Sequence, residues 1–79
     1  MKIKKNIAVS ETGFLFDPNS GESFSLNETG KKILKFLEEE KTEDDISEWF
    51  INNYDVDETT FETNFNDFLT VLHNYRIIE

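Results

Sequence analysis

Cysteine is absent from this chain of 79 residues, which excludes disulfides and thiolate metal sites. Histidine occurs once. His73 falls in a helical stretch with no evident nucleophile beside it, so it reads as a surface residue and not as a general base. The three glycines, Gly13, Gly21 and Gly30, stand apart at turns or a helix start, and no phosphate-cradling loop is formed. Asp55-x-Asp57-x-Thr59 begins like a calcium loop, but its sixth position is Thr60 where glycine is needed. Its twelfth is Asn66 where a bidentate glutamate is needed, so the pair reads as a loop and a helix cap. No catalytic constellation survives, and the chain is expected to be non-enzymatic, with no cofactor and no metal. Long apolar runs are also missing. Nothing approaches the ~20 residues of a membrane span, and the start, MKIKKNIAV, lacks the apolar stretch and small-residue cleavage site of a signal peptide. A single soluble, cytoplasmic domain covering residues 1–79 is the expectation.

Positive charge is scarce where it would matter most. Residues 1–41 balance seven lysines against seven acids, whereas residues 42–79 carry ten acids and one base, Arg76. Binding to DNA or RNA depends on cations that neutralise phosphates, and the C-terminal half would repel a phosphate backbone. The acids themselves read either as a solvated surface that aids solubility or as the rim of a site.

What is present is a core of aliphatics and eight phenylalanines, arranged in two periodicities. Ile7 and Val9 alternate, then Ser10-Glu11-Thr12-Gly13 offers a turn before Phe14-Leu15-Phe16. Asp17-Pro18-Asn19-Ser20-Gly21 is a second turn: Pro18 presets φ, and Gly21 suits the left-handed position that re-enters a strand. Glu22 to Leu26 alternates again, with Phe24 and Leu26 on one side. The period then becomes helical. Asn27, Thr42 and Asp57 are placed as N-caps of three successive helices, the last and longest spanning roughly Glu58 to Tyr75. The chain closes on Ile77-Ile78. The expected fold is α+β, a three-stranded antiparallel sheet followed by three helices, resembling a winged helix-turn-helix.

Two features point beyond a plain core. On a wheel at ~100° per residue, Phe61, Phe65, Phe68, Leu69, Val71, Leu72 and Tyr75 spread over roughly 160°, wider than the stripe somewhat over ~100° of an ordinary surface helix. Either a small domain uses the whole arc for packing, or the helix touches its core and something else. Leu69 and Phe65 lie toward one flank; Phe68, Val71 and Tyr75, with Asn64, lie toward the other. The second feature is the strand Glu22 to Leu26. As the last of a meander it is an edge, and Ser23 and Ser25 supply neither the charge nor the proline that usually guards one. An open edge accepts an added strand.

The segment Phe14-Leu15-Phe16-Asp17-Pro18-Asn19-Ser20-Gly21-Glu22-Ser23-Phe24-Ser25-Leu26-Asn27-Glu28-Thr29-Gly30 resembles PqqD-like proteins, in which strand–turn–strand leads into a Leu-Asn-x-Thr-Gly helix start. The Tyr54-Asp55-Val56-Asp57 connection and the long last helix fit as well, so the likeness runs from about Ile7 onward. The resemblance implies a RiPP recognition element, a winged-helix-like peptide chaperone. Such a domain binds the leader of a ribosomally made precursor peptide and presents it to a modifying enzyme. It implies that the leader pairs with the third strand, here Glu22, Ser23, Phe24, Ser25 and Leu26. It further implies that the leader lies against the third helix, here Asn64, Phe65, Phe68, Val71 and Leu72. PqqD acts in pyrroloquinoline quinone biosynthesis with a radical S-adenosylmethionine enzyme, so the implied partners are a precursor peptide and a modifying enzyme, one type being a radical S-adenosylmethionine enzyme. Monomer and homodimer both remain open, as do the pathway and the peptide. The competing reading is a winged-helix regulator or transcription accessory protein, which Glu58, Glu62 and Asp67 on the would-be recognition helix oppose.

Overall fold

The strands are short because their lengths are set by the turns that join them. In the computed structural model, which describes residues 2–79, β1 (Ala8–Val9), β2 (Phe14–Phe16) and β3 (Ser23–Ser25) form an antiparallel sheet in the order β1-β2-β3. Gly13 takes a φ of 88° in the first turn. The amide of Phe14 there donates to the Ser10 hydroxyl at 3.0 Å. In the second turn the Asp17 carboxylate accepts from the Asn19 amide at 2.9 Å and from the Asn6 side chain at 3.3 Å. These bonds explain why Asp17 is tolerated as the one buried charged residue among those described. Gly21, at φ 76°, returns the chain to β3.

Strand alternation then divides the sheet into two faces. Leu15 is buried, while Phe14 and Phe16 on either side of it are 44% and 40% exposed. The register places Leu15 opposite Phe24, Phe14 opposite Ser25 and Phe16 opposite Ser23. Phe24 and Leu26 therefore share the inner face with Leu15, and the two serines share the outer one.

The helices are α1 (Glu28–Glu38), α2 (Glu43–Asn53) and α3 (Glu58–Asn74), so α3 ends one residue short of the expected limit and Tyr75 is its C-cap. All three predicted caps are in place. Asn27 accepts from the Gly30 amide at 2.7 Å, Thr42 from Asp45 at 3.1 Å and Asp57 from Thr60 at 3.0 Å. Each satisfies one of the donors orphaned at a helix start. The C-termini were less legible, because neither α1 nor α3 is followed by glycine. Glu40 (φ 60°) and Arg76 (φ 58°) adopt the left-handed conformation instead. They close paired hydrogen bonds, Glu40 to Leu37 with Lys41 to Phe36, and Arg76 to His73 with Ile77 to Leu72.

Packing follows from the helix stripes. Leu15, Leu34, Leu37, Ile46, Leu72, Ile77 and Ile78 are fully buried at the centre, and Phe50, Phe61 and Phe65 form an aromatic chain with ring centroids 4.9 and 5.6 Å apart. The last turn after α3 delivers Ile77 and Ile78 into this core, and an Ile3–Ile78 bridge ties the two ends of the chain together. Three antiparallel strands followed by three helices is the α+β order the sequence predicts. Because Arg76 pays the left-handed steric cost without glycine's freedom, Arg76→Gly is expected to raise stability by about 1 kcal/mol, measured as an upward shift of the thermal unfolding midpoint.

Candidate functional site

The outer edge of β3 is where backbone polarity meets solvent. The Leu26 amide donates to the Gly13 carbonyl at 2.8 Å and the Asp17 amide to the Glu22 carbonyl at 2.9 Å. In an antiparallel ladder the hydrogen-bonded pairs alternate with non-bonded ones, so the backbone groups of Phe24, the Glu22 carbonyl and the Leu26 amide face β2, while the Glu22 amide donates to the Ser20 hydroxyl at 3.2 Å. Ser23 and Ser25 direct their N–H and C=O groups away from β2. No described residue hydrogen-bonds to those four groups, and β3 has no second neighbour in the sheet. The edge thus offers two N–H donors and two carbonyl acceptors along one line, unblocked by charge or proline.

The flank of α3 next to this edge forms the other wall. The ring of Phe24 lies 4.8 Å from that of Tyr75, which fixes β3 against the C-terminal end of α3. Nearer the N-terminal end, Phe68 reaches α1 at Gly30, where an added Cβ would stand 3.5 Å from the Phe68 ring and 3.2 Å from the Asn27 cap oxygen. The Phe68 distance is an ordinary van der Waals contact; the tighter one is with the Asn27 cap oxygen, so a side chain at Gly30 would crowd the cap and not Phe68. Between these two contacts the flank carries Val71 and Tyr75, 47% and 46% exposed. A cavity of about 390 Å³ lies between α1 and α3, with Phe68 in its lining. Its apolar lining includes Ile33, Val56, Phe61, Phe65 and Phe68; Asn27, Thr29, Thr60 and Asn64 supply the polar atoms.

The over-wide arc of α3 is therefore split in two. Phe61, Phe65, Leu69 and Leu72 are buried in the core, Phe68 is half-buried, and Asn64, Val71 and Tyr75 face outward. Of the helix residues named from sequence, Asn64, Phe68 and Val71 stand on the exposed flank. Phe65 and Leu72, 3% and 2% exposed, pack on the core side. Phe65 reaches only the cavity floor, and Leu72 backs the wall without forming its surface. On the strand, Glu22, Ser23 and Ser25 are exposed, and Phe24 and Leu26 are half-buried against the core. Sequence reasoning did not single out Gly30, Ile33, Val56 or Thr60 as lining residues, because nothing in their local pattern shows that the α1 start and the α2–α3 connection converge there. His73 is exposed on α3, away from this flank by helical spacing.

Residues 12–78 match the family model described as coenzyme PQQ synthesis protein D (PqqD), and the chain belongs to this family. Two solved structures share the fold closely. TbiB1, in complex with the TbiA(beta) leader peptide, is 30% identical with a TM-score of 0.94, over 100% of this chain and 95% of that one. A lasso peptide synthetase B1 complexed with its leader peptide is 26% identical with a TM-score of 0.85, over 94% of this chain and 91% of that one. No curated protein sequence matches the chain.

The split of α3 separates stability from surface. Phe65→Ala is expected to cost about 3–5 kcal/mol, whereas Val71→Ala should stay within about 0.5 kcal/mol; urea unfolding of the two variants checks the difference.

Proposed function

We propose that this chain is a non-catalytic peptide carrier. It binds the leader of a ribosomally synthesised precursor as an added strand on β3 and presents it to a modifying enzyme. The observation that carries this reading is the line of open backbone groups on Ser23 and Ser25, set beside the exposed flank of α3. Membership of the PqqD family supports it, as do two structural neighbours that hold leader peptides.

The division of labour follows from the walls. Four backbone hydrogen bonds, at about 0.5–1.5 kcal/mol each, fix the register of the incoming strand without reading its side chains. Alternate residues of that strand then point inward, over Phe24 and Leu26 and against Phe68, Val71 and Tyr75. An apolar side chain entering the cavity beside Asn64 contributes about 1.5–3 kcal/mol when fully buried, and this anchor supplies selectivity. Glu22 flanks the start of the strand wall, and Phe65 and Leu72 hold the helix wall from behind. After the costs of association and ordering, an affinity on the order of micromolar to nanomolar results. No step of this process needs a catalytic group or a cofactor, and the carrier acts in the cytoplasm.

Proline is tolerated on an edge strand when its nitrogen faces solvent, and the Ser25 nitrogen does. Ser25→Pro should leave the fold intact yet remove one donor and block close approach of a partner strand. Titrating the isotope-labelled protein with the TbiA(beta) leader peptide is expected to shift the amide signals of Ser23 and Ser25 and of the exposed α3 flank. Ser25→Pro and Phe68→Ala should each weaken binding about tenfold, roughly 1.4 kcal/mol. Shifts confined to α2, or a Ser25→Pro variant that binds as well as the parent, would overturn the reading.

A further inference from the structure

The walls of the groove carry no cation. Neither β3 nor α3 contains lysine or arginine, and the lysines of the first half are engaged elsewhere or lie outside both walls. Lys2 pairs with Glu40 at 2.8 Å, Lys31 pairs with Glu28 at 3.1 Å, and Lys32 lies 5.0 Å above the Trp49 ring. Arg76 follows Tyr75, at the end of the groove remote from the cavity.

Two acids at the cavity end are free by contrast. Asp55 immediately precedes the lining residue Val56, and Asp67 sits roughly 60° around α3 from the lining residue Asn64, next to Phe68 in the chain. Both are exposed, and neither has a hydrogen-bond or ion-pair partner among the described residues. Asp57 and Glu28 nearby are occupied, whereas Glu58, two residues from both Val56 and Thr60, is also exposed and without a partner among the described residues. The Asp57 carboxylate accepts from both the amide and the hydroxyl of Thr60, and Glu28 is held by Lys31.

We infer that the peptide this groove accepts carries a lysine or arginine beside its apolar anchor, received by Asp55 and Asp67. The inference rests on the proposed leader-binding function and specifies the ligand's chemistry. An apolar anchor alone satisfies the cavity, but a neighbouring carboxylate on the peptide would meet two unpaired acids, whereas a cation meets complementary charge. The acids therefore help select the peptide. Exposed pairs are individually weak, so the selection is graded: about two- to fivefold in affinity per carboxylate engaged.

A random decapeptide display library panned against the full chain tests this. Recovered binders should be enriched in lysine or arginine within two or three residues of an aromatic or aliphatic anchor. A selected basic peptide should bind about five- to twentyfold more weakly to Asp55→Asn/Asp67→Asn than to the parent, and the difference should shrink at high salt. Neither aspartate caps a helix or forms a salt bridge, so the variant should keep the parent's unfolding midpoint. Binders without a basic bias, or a double variant with unchanged affinity, would overturn the inference while leaving the leader-binding function standing. Recovery of no binders, or of binders indifferent to Ser25→Pro, would remove both.

Discussion

A chain of 79 residues without disulfides has room for one hydrophobic core, and α3 supplies the largest share of it from a single helix. Its apolar arc is too wide for that core to cover. Phe61, Phe65, Leu69 and Leu72 are the four whose directions coincide with the converging faces of α1, α2 and the C-terminal isoleucines, and they are buried. The rest of the arc is left over. Phe68 is spared full exposure because its ring packs against the core and reaches α1 at Gly30. Val71 and Tyr75 have no such partner on the helices, and Tyr75 is met instead by Phe24 from the sheet. In the proposed reading the surplus of α3 becomes one wall of a groove.

The other wall is a consequence of stopping at three strands. A meander ends with an edge, and an edge leaves every second residue with unpaired backbone groups. Here those residues are serines, small enough to leave access clear. The inner neighbours Phe24 and Leu26 anchor the strand to the core, so the edge is held rigidly beside α3. A preformed, ordered edge lowers the entropic cost of adding a strand, since only the incoming peptide must be ordered. Family membership and the leader-bound structural neighbours agree with a fold whose two walls arise from ordinary packing limits.

Charge is arranged on the same principle. The lysines are concentrated in the first half, where Lys2 and Lys31 pair with Glu40 and Glu28 and Lys32 covers Trp49, and the acids of the second half stay largely unpaired. The groove opens among the unpaired ones. For an exposed surface this separation matters more for recognition and approach than for folding stability.

Much of the fold was legible because it is written in local chemistry. The caps at Asn27, Thr42 and Asp57, the turn from Asp17 to Gly21, and the change from alternating to helical period each depend on residues a few positions apart. The helix ends at Glu40 and Arg76 are not legible in the sequence, because their left-handed residues lack glycine's signature. The open edge was legible too, as the third strand of a meander bearing two serines. What sequence periodicity alone left undecided was which flank of α3 faces the core, the one bearing Phe65 and Leu69 or the one bearing Phe68, Val71 and Tyr75. Packing broke that symmetry, taking Phe65 and Leu72 inward and leaving Phe68 and Val71 facing out. It also brought the start of α1 and the connection before α3 together into a cavity that no local pattern announces. The sequence by itself determined the elements, their order and the unguarded strand, all from short-range preferences. Only the tertiary structure decided which side of the last helix became surface, because that depends on how three helices and a sheet share one core.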